Sequence, residues 1–376
     1  MSLVFDRNVA GPAAHALVIG VGHYRFLSGG ADEKVQSIQQ IGILKQLTSP
    51  PRSAVAFSDW LIQRADNWRA PLATVELLVS PAQVDPDAGT PNANFEAATI
   101  ANIRRAYTDW KARCDADEDN IAVFFHSGHG VEKGEHFLLA EDFGEQPLTP
   151  WLGAFDFDST RRAFHPTKSN TQCFFVDACR KVTSRMLQQK IAVLPLDTVN
   201  LTDSADCQFD LTMKASASNE AAHGEPLKPS FFTQALQMAL DGGVASKSGG
   251  KWLVKSGQVS ARIYDVLGLI KEDQNFPQRC TSHVSDSAVL LETPTPNVSL
   301  TVKCIPPAAN ADAQLSCKKE PDGVPKNHAG NGAPWNLDVE AGIYTVKADF
   351  PTNGFTPASD LDSHNPPRDS VELDCS

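Results

Sequence analysis

Apolar runs alternate with segments of helical periodicity through the first two thirds of the chain. The runs that predict strands lie at residues 15–21, 75–79, 120–125, 136–140, 172–176 and 209–215. Apolar positions three and four apart predict helices at residues 53–64, 94–113, 230–240 and 260–271. This alternation is typical of βα units. We therefore predict a three-layer α/β/α domain with a mostly parallel central sheet of about six strands.

The pattern changes near residue 276, where the helical periodicity ends. Short alternating runs follow, separated by loops rich in Pro, Gly, Asn and Asp, at residues 288–292, 298–304, 313–317, 343–350 and 370–375. This spacing predicts a small all-β sandwich. Residues 342–350 loosely resemble the last strands of an immunoglobulin-like module. The prediction is therefore two domains, at residues 12–275 and 276–376.

Length and charge narrow the class of protein. A chain of 376 residues exceeds what one hydrophobic core usually supports, which agrees with two domains. There are 33 Lys and Arg residues against 45 Asp and Glu residues, a formal net charge of -12. A protein that binds nucleic acid without sequence preference needs a basic surface, so this class is excluded.

Targeting signals and cysteine spacing indicate a compartment. The start of the chain has no basic segment followed by a long apolar one, so we expect no secretory signal. Its longest apolar runs are far shorter than the roughly 18 residues of a membrane span. Eight irregularly spaced cysteines include no Cys-x-x-Cys pair, which indicates free thiols in a reducing compartment. We expect a cytoplasmic protein without a membrane or nucleic-acid partner.

Two polar clusters each follow directly after a predicted strand. His-Ser-Gly-His-Gly occupies residues 126–130, and Asp-Ala-Cys-Arg occupies residues 177–180. Open α/β sheets bind ligands at the carboxyl ends of their strands. If the two strands are neighbours, their ends lie about 5 Å apart. A histidine and a cysteine would then face each other across a cleft.

This pair can carry out nucleophilic catalysis. A thiolate is a strong nucleophile, and the His129 imidazole can take the proton of the Cys179 thiol and give it to the leaving amine of a peptide. The backbone N–H groups of Gly130 and Cys179 could stabilise an oxyanion, and one such donor contributes about 3–4 kcal/mol. Zinc bound by His126, His129 and Cys179 is the alternative, but no fourth ligand is evident. We expect neither metal nor cofactor.

The same residues carry a family resemblance. The two boxes, their separation of 179 − 129 = 50 residues and the apolar opening strand resemble the caspase, metacaspase and paracaspase group of clan CD cysteine peptidases. The caspase signature Gln-Ala-Cys-[Arg/Gln/Gly]-Gly also has a histidine about 50 residues upstream. Here Asp177 replaces the glutamine and Lys181 the glycine. Over residues 12–275 the resemblance implies a caspase-haemoglobinase fold, and the trailing β module is similar to bacterial caspase-like proteins.

The resemblance also implies roles for individual residues. It makes Cys179 the nucleophile and His129 its partner, and both lie at the family's spacing. In metacaspases an acid two residues before the cysteine attracts Arg or Lys, so Asp177 would line the primary specificity pocket. Asp59 and Ser216 resemble further pocket positions, which favours cleavage after Arg or Lys. Arg52 lies near the position where caspases hold Asp, and an Asp-specific pocket is the alternative.

Processing is a further hypothesis from the resemblance. Residues 180–206 correspond to the linker between the large and small subunits, and they include four basic residues at which self-cleavage would be possible, Arg180, Lys181, Arg185 and Lys190. An activating protease or partner could also act there. Calcium activation has only a weak candidate site, Asp203, Asp206 and Asp210.

Two function classes remain open from the sequence. The first is an active cysteine endopeptidase that cuts protein or peptide substrates in a regulatory or defence pathway. The second is a catalytically silent scaffold, in which the same fold and the β module bind partners without turnover. Both members of the Cys-His dyad are present, which favours the first class.

Overall fold

The structure is a computed structural model that describes residues 2–42, 44–91, 94–181, 185–186, 191–198, 207–218, 220, 222–270, 278–351 and 354–376. The chain forms two compact units. The first contains Met1–Gln237 and Lys255–Leu290, and the second contains Met238–Val254 and Leu291–Ser376. Each unit is therefore built from two separate stretches of chain. The sequence analysis instead divides the chain at a single position, residue 276.

The first twelve strands in chain order are β1 Leu3–Asp6, β2 Ala14–Val21, β3 Leu72–Ser80, β4 Ile121–Gly128, β5 Gly130–Lys133, β6 Glu135–Leu139, β7 Ala154–Asp156, β8 Thr171–Ala178, β9 Phe209–Lys214, β10 Ser246–Ser248, β11 Lys251–Lys255 and β12 Thr281–Val284. Seven of them form one sheet in the order β1-β3-β2-β4-β8-β9-β12. The five inner strands are parallel, whereas β1 and β12 pair antiparallel at the two edges. Strands β5, β6 and β7 form a small separate sheet. The predicted mostly parallel central sheet is thus confirmed.

Six helices are described in the first unit: α1 Val35–Ile41, α2 Ser49–Gln63, α3 Ile100–Cys114, α4 Phe157–Phe164, α5 Phe231–Met238, which continues into a π-helical turn of the second unit, and α6 Ser256–Ile270. Helix α2 begins four residues before the predicted start at residue 53. Both Pro50 and Pro51 lie in its first turn, where a missing N–H removes no intrahelical hydrogen bond. The side chain of Thr99 caps α3, because its oxygen accepts a hydrogen bond from Asn102 N at 3.3 Å.

Helices cover both faces of the central sheet. On one face, Phe124 and Phe174 pack against Phe157 of α4 and against one another. The next residue along each strand points to the opposite face, where Phe125 and Phe175 contact Phe57 of α2. Because side chains alternate along a strand, continuous apolar runs fill two cores. This arrangement is the predicted three-layer α/β/α fold.

The remaining strands are β13 Val289–Thr293, β14 Asn297–Ile305, β15 Gln314–Lys319, β16 Lys326–Ala329, β17 Trp335–Glu340, β18 Gly342–Asp349, β19 Ala358–His364 and β20 Arg368–Asp374. They form the sheets β17-β14-β20 and β16-β15-β18-β19, while β13 joins β10 and β11. Buried and exposed residues alternate along β14 and β15. The chain therefore ends in the predicted small all-β sandwich. None of the described helices is both long and apolar enough to cross a bilayer.

Candidate active site

The two predicted boxes lie side by side at the carboxyl edge of the central sheet. Strands β4 and β8 are parallel neighbours, with Ser127 opposite Asp177 and Gly128 opposite Ala178. His129 and Cys179 follow directly after these pairs. Both line one open cavity of about 310 Å³, together with Gln46, Leu47, Thr48, Ser49, Pro50, Ser127, Gly128, Asp177, Ala222, His223, Gly224, Glu225, Pro226 and Ser230. The structure therefore brings the predicted thiol and base to the same face and the same cleft.

Cys179 is partly exposed and differs in this from most of the other cysteines. Its Sγ lies 3.2 Å from Ala222 N, so the Ala222 N–H points at the sulfur. Burial raises the pKa of the Cys179 thiol above its ordinary value, and the nearby Asp177 charge adds to this, although the Ala222 N–H and Lys181 oppose it. Cys179 is therefore a neutral thiol at neutral pH in the free protein.

His129 is held through its backbone and through its ring. Its N–H donates to Tyr24 Oη at 2.6 Å, and the two rings pack with their centroids 4.8 Å apart. Its Nε2 lies 2.8 Å from the carbonyl oxygen of Lys45. Because a carbonyl only accepts, Nε2 carries the proton and Nδ1 is the basic nitrogen. Burial lowers the pKa of His129, and the Lys45 carbonyl only partly opposes this, so the ring is a neutral base.

Asp177 is one of the residues that line the cavity, and it is 3% exposed. Three hydroxyl groups donate to its Oδ2: Ser127 at 3.1 Å, Thr233 at 2.9 Å and Ser230 at still closer range. Burial raises the pKa of this carboxyl, and the three hydroxyl groups work against the rise. Within the described residues no Lys or Arg is recorded in an ion pair with it. In the described part of the chain, the Asp177 carboxyl group therefore has hydrogen-bond donors but no positively charged partner.

The backbone N–H groups of Gly130 and Cys179 lie beside the candidate thiol and imidazole. Leu139 N donates to His129 O at 3.1 Å, and Gly130 lies opposite Leu138 in the β5–β6 pair. In an antiparallel ladder, a hydrogen bond between His129 and Leu139 makes the adjacent residues Gly130 and Leu138 a pair without hydrogen bonds to each other. The Gly130 N–H therefore points away from β6. The Ala178 carbonyl accepts from Ser216 Oγ at 3.0 Å, so the Cys179 N–H on the same trans peptide points the opposite way.

Two further predicted specificity residues, Ser216 and Asp59, lie outside the cavity. Ser216 is fully buried and holds the Ala178 carbonyl, but it does not line the cavity. Asp59 is exposed on α2. It follows the cavity residue Pro50 by nine positions, which is about 13 Å along the helix axis. Neither side chain is placed to contact a residue bound beside Asp177.

Arg52, the alternative specificity residue, is also engaged elsewhere. Its Nε lies 2.7 Å from Asp85 Oδ2 and its second terminal nitrogen 2.9 Å from Asp85 Oδ1. This bidentate pair raises the pKa of Arg52 and anchors the first turns of α2 to the loop after β3. Arg52 is not among the residues that line the cavity.

The linker predictions fall partly outside the described residues, which do not include Lys190, Asp203 or Asp206. Arg180 is mostly buried and forms an ion pair with Glu132. Asp210, the remaining calcium candidate, is 1% exposed and pairs with Arg161 at 2.8 Å. In the described part of the chain, no group of three or more His, Cys, Asp or Glu side chains could hold a metal ion.

Several residues that hold His129, Cys179 or Asp177 in place were not singled out from the sequence. Tyr24 lies 105 residues and Lys45 84 residues before His129, and nothing in their local pattern marks them. Ser230 and Thr233 were part of a predicted core helix, although both hydroxyls bind Asp177. The pattern predicts a strand at residues 136–140 and gives His136 no role. Two hydroxyl residues three apart at the start of an apolar helix were the one available signal.

The fold and the site define a caspase-type cysteine peptidase domain. The family model "Caspase domain" (Peptidase_C14) matches residues 13–258, so the chain belongs to this family. A similar sequence is "Uncharacterized protein y4kE" of Sinorhizobium fredii, which is 28% identical over 238 residues, 58% of this chain and 68% of the relative. A solved structure, caspase-1 from Spodoptera frugiperda, is 12% identical with a TM-score of 0.40, over 74% of this chain and 92% of that one.

Proposed function

We propose that the protein is a cysteine endopeptidase that cleaves peptide bonds after Arg or Lys, with Cys179 as nucleophile and His129 as base. The observation that carries this proposal is the shared cavity. It places a partly exposed thiol, an oriented imidazole and a buried carboxyl without a counter-charge along one cleft. Membership of the caspase domain family supports the reaction class.

The reaction follows from the protonation states. When a peptide binds, His129 Nδ1 takes the proton of the Cys179 thiol as the sulfur attacks the scissile carbonyl carbon. The carbonyl oxygen becomes an oxyanion, for which the N–H groups of Cys179 and Gly130 are the donors. His129 then returns its proton to the leaving amine, and the carbon–nitrogen bond breaks. The same imidazole then deprotonates a water molecule, which attacks the thioester carbon. The carbon–sulfur bond breaks, His129 returns the proton to the Cys179 sulfur, and the acid product leaves.

The charges around the cavity support the preference for a basic residue. Among the described residues that line it, Asp177 and Glu225 are acidic and none is Lys or Arg. An Arg or Lys side chain that reaches Asp177 would give the buried carboxylate its missing counter-charge. A substrate Asp would instead bring a second negative charge beside it. With Arg52 bound to Asp85, the Asp-specific alternative is not favoured.

The test is hydrolysis of three fluorogenic peptides that differ only in a final Arg, Lys or Asp. We expect the wild type to cleave the Arg and Lys peptides, and Cys179→Ala to cleave none. The matched control is Cys173→Ala, which removes a buried thiol from the same strand and should keep activity. No turnover by the wild type, even after limited proteolysis, would contradict the peptidase, and faster cleavage of the Asp peptide would contradict the basic pocket.

We also propose that the chain is processed within residues 180–206, in a cytoplasmic regulatory or defence pathway. Lys181 and Arg185 are exposed there, whereas the Arg180 side chain is occupied by Glu132. Self-processing predicts new chain ends after Lys181 or Arg185 in purified wild type and an intact chain in Cys179→Ala, as read by mass spectrometry. An intact chain at full activity would show that processing is not required.

A further inference from the structure

His136 lies directly behind the candidate nucleophile and has no role in the chemistry proposed above. It is fully buried on β6, outside the set of residues that line the cavity. Its Nε2 is 3.2 Å from the carbonyl oxygen of Cys179. The short β5–β6 hairpin, which follows His129, folds this side chain back against the end of β8.

The peptide between Cys179 and Arg180 is held at both of its polar groups. The carbonyl oxygen contacts His136, and the Arg180 N–H donates to Glu220 O at 3.0 Å. The preceding peptide is held as well, since Ser216 donates to the Ala178 carbonyl at 3.0 Å. Because peptides are planar, fixing both neighbouring planes fixes the backbone dihedral angles of Cys179. The direction of the Cys179 Cα–Cβ bond is then fixed too. This limits the positions that the sulfur can reach by rotation about that bond.

Gly130 shows how closely His136 and the nucleophile's backbone approach each other. A Cβ at this position would lie 2.6 Å from the Cys179 carbonyl oxygen and 2.6 Å from His136 Nε2. Both distances are too short for any side chain. The absence of a side chain at Gly130, directly after His129, therefore leaves the space that the hydrogen bond between His136 and the Cys179 carbonyl requires.

The protonation state of His136 suits a donor. Burial, together with the positive charge of Lys214, lowers the pKa of His136 to about 3, so the ring is neutral at working pH. A neutral ring carries one N–H, and the Cys179 carbonyl accepts only, so the proton is on Nε2. Nδ1 has no hydrogen-bond partner among the described residues. The backbone N–H of His136 donates to Asp158 Oδ2 at 2.8 Å, which holds the strand in place.

We propose that His136 is a positioning residue, which donates a hydrogen bond to the carbonyl of Cys179 and thereby aims the sulfur and the Cys179 N–H at the scissile bond. The proposal rests on the proposed function for its kinetic consequence. The structural part of the proposal, that His136 holds the Cys179–Arg180 peptide, is independent of the proposed function. Misplacing a reacting group by about 1 Å costs about 100-fold in rate, so the effect belongs in kcat and not in substrate binding.

The experiment compares His136→Leu, which has no donor, with His136→Gln, whose side-chain amide can donate from nearly the same place. His126→Leu is the matched control, because His126 is an equally buried histidine on β4 whose ring nitrogens have no partner among the described residues. On an Arg peptide we expect kcat of His136→Leu to fall about 100-fold with KM within about threefold. We expect His136→Gln to recover to within about fivefold, and His126→Leu to match the wild type.

A second readout is hydrogen exchange of the Arg180 amide, measured on protein labelled with ¹⁵N-arginine. Exchange should accelerate in His136→Leu alone. An unchanged kcat in His136→Leu, equal impairment of His136→Gln, or unchanged Arg180 exchange would overturn the proposal. If the wild type cleaves nothing, the proposed function fails and the exchange comparison alone decides the positioning role. If His136→Leu does not fold, His136→Asn replaces it, because its shorter side chain cannot reach the carbonyl.

Discussion

Asp177 combines a buried carboxyl, three hydroxyl donors and an opening to the cavity. Hydroxyl groups satisfy its lone pairs without neutralising its charge. A site of this kind selects a cation of the right length and repels an anion. At the scale of single residues, the specificity of the protein is therefore expected to depend on this one carboxylate.

Asp177→Asn keeps the shape of the side chain and removes its charge. We expect kcat/KM for the Arg peptide to fall about 30-fold or more, because a buried charge pair lost on one side costs about 2 kcal/mol or more. Asp59→Asn is the matched control and should stay within about twofold, since Asp59 is exposed and outside the cavity. Equal losses in both variants would contradict the assignment of Asp177.

The dyad predicts a particular pH profile. Burial lowers the pKa of His129 below its ordinary value of 6.5 and raises the pKa of Cys179 above 9.0. His129 is a base only when neutral, so the acidic limb of kcat/KM should have its midpoint below pH 6.5. Alkylation of free Cys179 by iodoacetamide should accelerate only above about pH 9. Fast alkylation at neutral pH would instead indicate a thiolate–imidazolium pair. Tryptophan fluorescence at each pH serves as the control for unfolding.

Secondary-structure elements bring these residues together in ways that their own sequences do not show. The first turn of α2 lines the cavity through Ser49 and Pro50. The same helix is tied to the loop after β3 by Arg52 and Asp85. Through this ion pair Arg52 holds α2 in place. The sequence analysis considered a different role for it, the binding of a substrate Asp.

Arg52→Ala should therefore change stability and leave specificity unchanged. Asp85 would remain buried without its partner, which we expect to cost about 1–3 kcal/mol, between the values for exposed and buried pairs. The ratio of Arg-peptide to Asp-peptide hydrolysis should stay as in the wild type. Asp85→Asn and the double variant complete a cycle in which the losses should not add. A shift toward or away from Asp peptides would contradict the structural role.

The elements themselves were predicted where burial is continuous. The inner strands β2, β3, β4, β8 and β9 are fully or largely buried and read as apolar runs. The edge strands β1 and β12 were missed, because each has only four residues and none of them is buried, so neither forms a buried apolar run. The predicted helix at 94–113 begins at Ile100, since a helix boundary depends on the capping residue Thr99 more than on periodicity.

At the scale of the whole molecule, the two compact units do not follow a single cut in the chain. Strands β10 and β11 precede residue 276 but lie mainly in the second unit, and β12 follows it but pairs with β9 in the first. A boundary placed where the periodicity changes cannot show that a strand from one side of it belongs to the unit on the other side. Pairing between distant strands decides which unit a strand joins, and no local sequence pattern records that pairing.

Two truncations test this division. A chain that ends at residue 275 loses β12 and the fully buried Leu290, whereas a chain that ends at residue 290 keeps both. Burial of one leucine contributes about 1.5–3 kcal/mol, and 1 kcal/mol corresponds to about 2–4 °C in Tm for a unit of this size. We expect the shorter chain to melt about 3–12 °C below the longer one. Equal melting temperatures would place β12 outside the cooperative unit.

The sequence by itself determined the class of fold and singled out the two candidate reacting groups. Buried parallel strands have to be apolar, and open α/β sheets bind ligands at the carboxyl ends of such strands, so the fold and the candidate site both leave local patterns around His129 and Cys179. Only the tertiary structure decided which groups orient them. Tyr24, Lys45, His136 and Ser216 act through single hydrogen bonds across long stretches of chain. Such bonds depend on where distant backbones meet, which no local pattern encodes.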